Sequence, residues 1–141
     1  MRYYLSLGSN IGEREQTLRD AVRRIEQQIG TVTRCSSYYY SEPWGFESEN
    51  GFCNICCLLE TVMAPEEVLI RTQAVERALG RTHKSVNGHY SDRTIDIDII
   101  LAFDEQGQEI FVQTPTLTIP HPLWKERDFV KVPLHEIGIS S

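Results

Sequence analysis

Between Ile95 and Ile99 acidic and isoleucine side chains alternate residue by residue, and Arg93 lies just upstream. On a β-strand successive side chains point to opposite faces, so Asp96 and Asp98 share one face while Ile95, Ile97 and Ile99 share the other. Two carboxylates at this spacing stand roughly 6–7 Å apart along the backbone. Their oxygens can converge on one cation, or on two ions about 4 Å apart. Without a cation the like charges repel, and burial drives one of them toward protonation. A hard divalent ion relieves that repulsion, and all-oxygen ligation with room for water suits magnesium. The plain alternative is a polar strand face in contact with solvent. Against it, aspartate is depleted in strands, and two of them among isoleucines are an expensive route to solubility. Arg93, at the edge of the same face, is placed to grip phosphates that such an ion bridges. The chemistry implied is a magnesium-dependent transfer of a phosphate-containing group from ATP to a small molecule.

Other residues fit that chemistry, each with a plainer alternative. Gln73 and Glu76 are three apart on a helical stretch and can face a common ligand; either can equally be a surface residue. From Arg71 to Arg93 the charge balance of an acidic chain reverses, with Arg71, Arg77, Arg81, Lys84 and Arg93 against Glu76 and Asp92. A local basic patch suggests a compact anion such as a nucleotide phosphate, whereas Arg71 and Arg77 alone suit a solvated helix face. His121 stands between Pro120 and Pro122, where it can contact phosphate or cap the short helix that follows. Arg127 adds a further positive charge. Trp44, Phe52 and Phe129 can stack on a flat ring or simply pack in the core.

The elements that must position these groups follow from periodicity and turn residues. Arg2 to Leu7 reads as a strand ending at the turn-forming Gly8-Ser9-Asn10. Leu18, Ala21, Val22, Ile25 and Ile29 predict a helix from about Gly12 to Gln28, stopped by Gly30. Thr31 to Tyr40 reads as one strand, Ser41 to Gly51 as a surface loop, and Phe52 to Thr61 as a central strand. Pro65 followed by Glu66 and Glu67 opens a second helix, closed by Gly80. The polar stretch 81–93 is expected to be a mobile loop that closes over ATP. Ile95 to Phe103 is a fourth strand, and Asp104 to Gly107 turns it into Glu109–Val112. A short helical piece around Pro122–Arg127 and a final strand near Phe129–Pro133 complete the chain. The order β-α-β-β-α-β predicts an α+β, ferredoxin-like fold. Two helices would cover one face of an antiparallel sheet, leaving the other free for loops and ligand, with a C-terminal hairpin and short helix appended.

Composition sets the outer limits. The 141 residues suit one domain, here 1–141. The net charge of −6 argues against general nucleic-acid binding. No apolar run approaches the ~20 residues of a membrane span, and the N-terminus lacks the pattern of a secretory signal. The expectation is a cytoplasmic monomer. Cys53 and Cys56 have the gap of a zinc or redox pair, but no second pair or neighbouring histidine completes a ligand set. Three apart on a strand, they point to opposite faces, so a buried, reduced structural role is expected for them.

Taken in order, Leu7-Gly8-Ser9-Asn10, Ser41-Glu42-Pro43-Trp44-Gly45, Phe52-Cys53-Asn54, Arg93-Thr94-Ile95-Asp96-Ile97-Asp98-Ile99 and Pro120-His121 resemble the 6-hydroxymethyl-7,8-dihydropterin pyrophosphokinase family. The resemblance runs from Tyr4 to Ile137. It implies attack of the substrate hydroxymethyl oxygen on the β-phosphorus of ATP, with AMP leaving. It further implies two magnesium ions on Asp96 and Asp98, and catalytic roles for Arg81 and Arg93 beside them. ATP contacts fall to Gln73, Glu76, Lys84, Ile99, His121 and Arg127. Pterin contacts fall to Ser41, Pro43, Trp44, Phe52, Asn54 and Phe129, with the two phenylalanine rings sandwiching the heterocycle. Where members carry Arg-Trp-Gly-Pro-Arg before the aspartates, this chain has Val86 to Arg93, which leaves His89 or Tyr90 for the tryptophan's role. The rival expectations are a non-enzymatic ferredoxin-like module that binds a small ligand and signals to a partner, and a family member that binds pterin without turnover.

Overall fold

The computed structural model describes residues 1–10, 13–41, 51–80 and 95–139. The alternation at the N-terminus forms β1 (Arg2–Ser9), which runs on through Gly8 and Ser9 rather than turning there. Strand β1 lies at the centre of the main sheet because both of its faces are buried: Tyr3, Leu5 and Leu7 on one side, Ser6 on the other. It is flanked by β4 (Phe52–Glu60) and β5 (Asp96–Phe103), and β2 (Thr31–Cys35) lies outside β4. All these pairings are antiparallel, and the order β2-β4-β1-β5 is that of a ferredoxin-like sheet.

The expected single strand from Thr31 to Tyr40 is two strands, β2 and β3 (Tyr39–Ser41), both paired with β4. Ser36 divides them. Its amide donates to the Cys56 carbonyl at 2.9 Å, but its own Oγ, in place of a ladder carbonyl, accepts the Cys56 amide at 2.9 Å. A side-chain oxygen in that position satisfies β4 while letting the partner strand bend away.

Helices α1 (Arg14–Gln28) and α2 (Pro65–Ala78) cover the face carrying Leu5, Leu7, Leu59, Ile97 and Ile99. Leu18, Ala21 and Ile25 supply the buried stripe of α1, and Val68, Thr72 and Val75 that of α2. Pro65 starts α2, and Gly80 follows its end with φ of 103°, the left-handed position that glycine occupies without a Cβ clash. After β5, Asp104 Oδ1 accepts the amides of Gln106 and Gln108, and Phe103 bridges Glu109. The chain then makes a second small sheet from β6 (Val112–Gln113) and β7 (Thr118–Ile119), which strand signals in the sequence did not reveal.

The expected final strand at Phe129–Pro133 is instead the helix α3 (Asp128–Glu136), entered through a 3-10 turn at Trp124–Glu126. Val130, Leu134 and Ile137 recur at i, i+4 and i+7 and pack on Cys56, Ile100, Leu101 and Trp124. That apolar stripe outweighs Pro133, which stands inside the helix and removes one of its hydrogen bonds. Consequently the face expected to be open for ligand is partly covered by α3, and only the end of the sheet beyond it remains a cleft. Leu134→Ala is expected to lower unfolding free energy by about 2–5 kcal/mol. Val132→Ala, on the exposed side of the same helix, should stay within about 0.5 kcal/mol; urea midpoints at constant m-value measure both.

Candidate active site

The site is built by strand register. Across the sheet Gly8 on β1 stands opposite Asn54 on β4 and opposite Asp96 on β5. Ser6, one pleat away on the same face, stands opposite Cys56 and Asp98. Tyr39 on β3 continues the first row beyond Asn54, and Ser41 pairs with Phe52. The two smallest side chains, Gly8 and Ser6, thus form a low floor between an amide on one side and two carboxylates on the other. Neighbouring strands are about 4.8 Å apart, so Asn54 and Asp96 flank a gap close to two strand spacings wide. A Cβ on Gly8 would lie 2.5 Å from Asn54 Nδ2, which shows how closely that amide approaches the floor.

Over this floor opens a cleft of about 560 Å³, within the usual range for a small-molecule site. Ser41, Phe52 and Asn54 line one wall, Asp96 and Asp98 the other, and Arg127 and Phe129 hang over it from the start of α3. Ser6, Gly8, Tyr39, Glu126 and Asp128 also line it, and none of them was expected as a site residue. Gly8 carried a signal, as the glycine of Gly8-Ser9-Asn10, but a turn absorbed it. Glu126 and Asp128 carried none, because the direction of the α3 entry is set by packing.

Asn54 is 4% exposed, and among the described residues its Oδ1 has no hydrogen-bond partner. A buried acceptor left unpaired costs about 1–3 kcal/mol, which a donor on a ligand would recover. Asp96 and Asp98 are half-buried on the cleft face, while Ile95, Ile97 and Ile99 face the helices. No group of three or more His, Cys, Asp or Glu side chains able to hold a metal occurs among the described residues. The two aspartates nevertheless fit magnesium, which commonly takes one or two carboxylates and completes its shell with water and substrate phosphates.

His121 is held near this wall by a bulge. Between Tyr4 and Leu5 the β1–β5 register shifts, so that Ile100 is the extra residue on β5. The Ile100 carbonyl accepts the His121 amide at 2.9 Å. Burial lowers the His121 pKa from its ordinary value and Arg127 lowers it further, while Asp96 opposes them. The side chain also accepts the Leu123 amide on Nδ1 at 3.5 Å, so the capping geometry is present beside the cleft. The Arg127 guanidinium lies 5.9 Å from the Phe129 ring centroid.

Not every expected contact reaches the cleft. Ile99 turns its side chain into the core against the helices, leaving only its backbone for a ligand. Gln73 is exposed on α2, whereas Glu76 is 4% exposed and accepts the Ile97 amide on Oε2 at 2.7 Å. The two therefore do not share a surroundings, and Glu76 braces the N-terminal half of β5. Arg71 pairs with Glu67 at 2.7 Å on an exposed helix face, as the plainer reading of it holds. Pro43, Trp44, Arg81, Lys84 and Arg93 lie outside the described residues, as do His89, Tyr90 and the whole 81–93 loop.

The model of the 7,8-dihydro-6-hydroxymethylpterin-pyrophosphokinase (HPPK) family matches residues 4–139. The chain belongs to the HPPK family. A Porphyromonas gingivalis protein named 2-amino-4-hydroxy-6-hydroxymethyldihydropteridine pyrophosphokinase is 44% identical over 137 residues, covering 96% of this chain and 89% of the relative. Proteins of the same name from Bacillus subtilis and Aquifex aeolicus are 42% and 36% identical, each covering 95% of this chain and 76% and 78% of their own lengths. As an HPPK the chain is an ATP-dependent diphosphotransferase of folate biosynthesis, and nothing among the relatives' names favours a regulatory module. No helix among the described residues is long and apolar enough to cross a membrane.

Gly8→Ala is expected to displace the Asn54 amide with little loss of stability, because the atom it meets is a side-chain end. Weaker binding of a pterin at an unchanged urea midpoint checks this. The His121 imidazole is expected to titrate below 6.5 by NMR. Between that lowered pKa and 6.5 the unfolded chain binds more protons, so His121 makes stability rise with pH across this window. That contribution is lost as the pH falls from 6.5 to the folded pKa, and His121→Gln should flatten the dependence there.

Proposed function

We propose that this cleft binds 6-hydroxymethyl-7,8-dihydropterin over Gly8 and Ser6 and transfers diphosphate to it from ATP. The observation that carries the reading is register: one face of one sheet presents the Asn54 amide and the Asp96 and Asp98 carboxylates on opposite sides of a glycine and a serine. In the reaction the hydroxymethyl oxygen attacks the β-phosphorus, the bond from that phosphorus to the α-phosphate oxygen breaks, and AMP departs. The hydroxyl proton is released, and the products are AMP and the pterin diphosphate.

Asn54 reads the edge of the heterocycle, its buried Oδ1 accepting a ring or amino N–H. Phe52 and Phe129 stack on the two faces of the ring, and Ser41, with Pro43 and Trp44 beyond the described residues, closes its pocket. Asp96 and Asp98 would hold magnesium, two ions in this proposal. When bound, the metal offsets the triphosphate's negative charge and stabilises the charge that builds up during transfer. His121 and Arg127 stand at the phosphate end; the neutral imidazole can donate one hydrogen bond while the guanidinium supplies charge. Arg81, Lys84 and Arg93, outside the described residues, supply further positive charge in this proposal, Arg81 and Arg93 acting on the transferring group. In this proposal Gln73 and Glu76 on α2 and the backbone of Ile99 on β5 contact the nucleotide outside the cleft itself. Catalysis of this kind rests on positioning and charge rather than on a dedicated base. We further propose that residues 1–141 act as one domain and a monomer, in the cytoplasm.

With ATP, magnesium and the hydroxymethyl-dihydropterin all present, AMP should form, and omission of any one should stop it. Asp98→Ala should lower turnover more than about 10²-fold, because several kcal/mol of charge stabilisation are lost, with the urea midpoint preserved. ADP as product, or undiminished turnover in that variant at limiting magnesium, would reject the reading. Phe129→Ala should raise the KM for the pterin more than that for ATP, measured by steady-state kinetics.

A further inference from the structure

On the helix-covered face of the sheet, away from the cleft, Cys35 at the end of β2 stands directly opposite Cys57 on β4. Their sulfurs are 3.1 Å apart. In the next pair the Ser36 amide donates to the Cys56 carbonyl and the Cys56 amide donates to Ser36 Oγ, so Cys35 and Cys57 occupy a non-hydrogen-bonded position of the ladder. Such pairs have the shorter Cα separation, about 4.5 Å, which lies inside the range a disulfide spans. Closing the bond needs the sulfurs to move inward only to about 2.05 Å. The two thiols differ in access: Cys35 is exposed and Cys57 fully buried. Cys35 also lines a groove of about 280 Å³ with Arg19, Arg23 and Glu26 of α1 and Tyr38.

We propose that Cys35 and Cys57 form a redox site, converted to a cross-strand disulfide by a low-molecular-weight disulfide bearing carboxylates. The Cys35 thiolate attacks one sulfur of the small disulfide, forming a mixed disulfide and releasing one small thiolate. The Cys57 thiol gives up its proton and attacks Cys35 Sγ, releasing the second. Two protein thiols lose two electrons and two protons, and one small disulfide becomes two small thiols. The order of events follows from exposure, since only Cys35 is accessible to the oxidant. The hydrogen bond from Cys57 lowers the Cys35 pKa, against the opposing effects of burial and Glu26, and correspondingly raises that of Cys57. Arg19 and Arg23 at the groove suit the carboxylates of the small disulfide, although Arg23 is shared with Asp20 and Arg19 with Gln16.

The other two thiols are poorly placed to compete. Cys56 points to the α3 side, where it donates to the Val130 carbonyl at 3.6 Å and burial pushes its pKa up to about 12. Cys53 lies in the helix-side core two pleats from Cys35's partner strand position and is fully buried.

The test is to expose the reduced protein to glutathione disulfide and follow intact mass. The wild type should lose two hydrogens without retaining a glutathionyl group, and Cys56→Ala should behave the same. Cys57→Ala should stop at one stable glutathionyl group, and Cys35→Ser should stay unmodified. Cys35→Ser replaces an exposed edge residue, so it keeps the comparison valid if the core variant folds poorly. Oxidation should also raise Tm, because the cross-link closes a loop in the unfolded chain. A wild type that remains reduced, or that keeps the adduct, or a Cys35→Ser variant that still forms a disulfide, would overturn the proposal.

Discussion

The structure depends on the register of β1 between β4 and β5. Gly8 faces Asn54 on one side and Asp96 on the other, and Ser6 faces Cys56 and Asp98. Strand side chains repeat with period two, so a slip of one residue in either pairing would send the amide or both carboxylates into the helix-side core. The same slip would turn Ile55 and Leu59 of β4, or Ile97 and Ile99 of β5, out of the helix-side core. Hydrophobic burial and site assembly therefore select one register together. The apolar face enforces the alignment that the polar face uses.

That face is not uniform along its length, and the bulge at Ile100 is the reason. Before it, the face carries aspartates and opens to solvent. After it, Ile100 and Leu101 both belong to the cluster that receives α3, together with Trp124, Val130 and Leu134. An extra residue in one strand reverses its alternation and frees a carbonyl from the ladder. Here the Ile100 carbonyl takes the His121 amide, tying the segment before α3 to the strand that bears the aspartates. Docking α3 then brings Arg127 and Phe129 over the floor from the other end of the cluster. Cleft and closure are consequences of the same irregularity.

The two faces of β4 also keep different chemistry apart. Phe52, Asn54 and Cys56 look toward the cleft and α3, while Cys53, Ile55 and Cys57 look toward α1 and α2. The thiol pair at Cys35 and Cys57 thus lies on the opposite side of the sheet from the cleft wall formed by Phe52 and Asn54. Ser36, whose Oγ stands in for a backbone acceptor, sits between the two strands that reach β4 and keeps each in its own register.

The alternation in Ile95–Ile99, the helical stripes of Leu18-Ala21-Ile25 and Val68-Thr72-Val75, and the glycine stop at Gly80 are local patterns. Chain geometry alone converts these into a strand with paired carboxylates and two helices on one face. For that reason the ferredoxin-like order and the acidic pair were legible from residues in sequence. The helix at Asp128–Glu136 was not, since Phe129-Val130-Lys131-Val132-Pro133 alternates like a strand and only burial of Val130, Leu134 and Ile137 against the sheet decides for helix. Nor were the floor at Gly8 and Ser6, the brace from Glu76 to the Ile97 amide, and the approach of Cys35 to Cys57. Each is a pairing across strands or layers, separated by many residues in the chain and brought together by register and packing. Local spacing fixes which side of an element a residue occupies; what stands opposite is settled when the layers close.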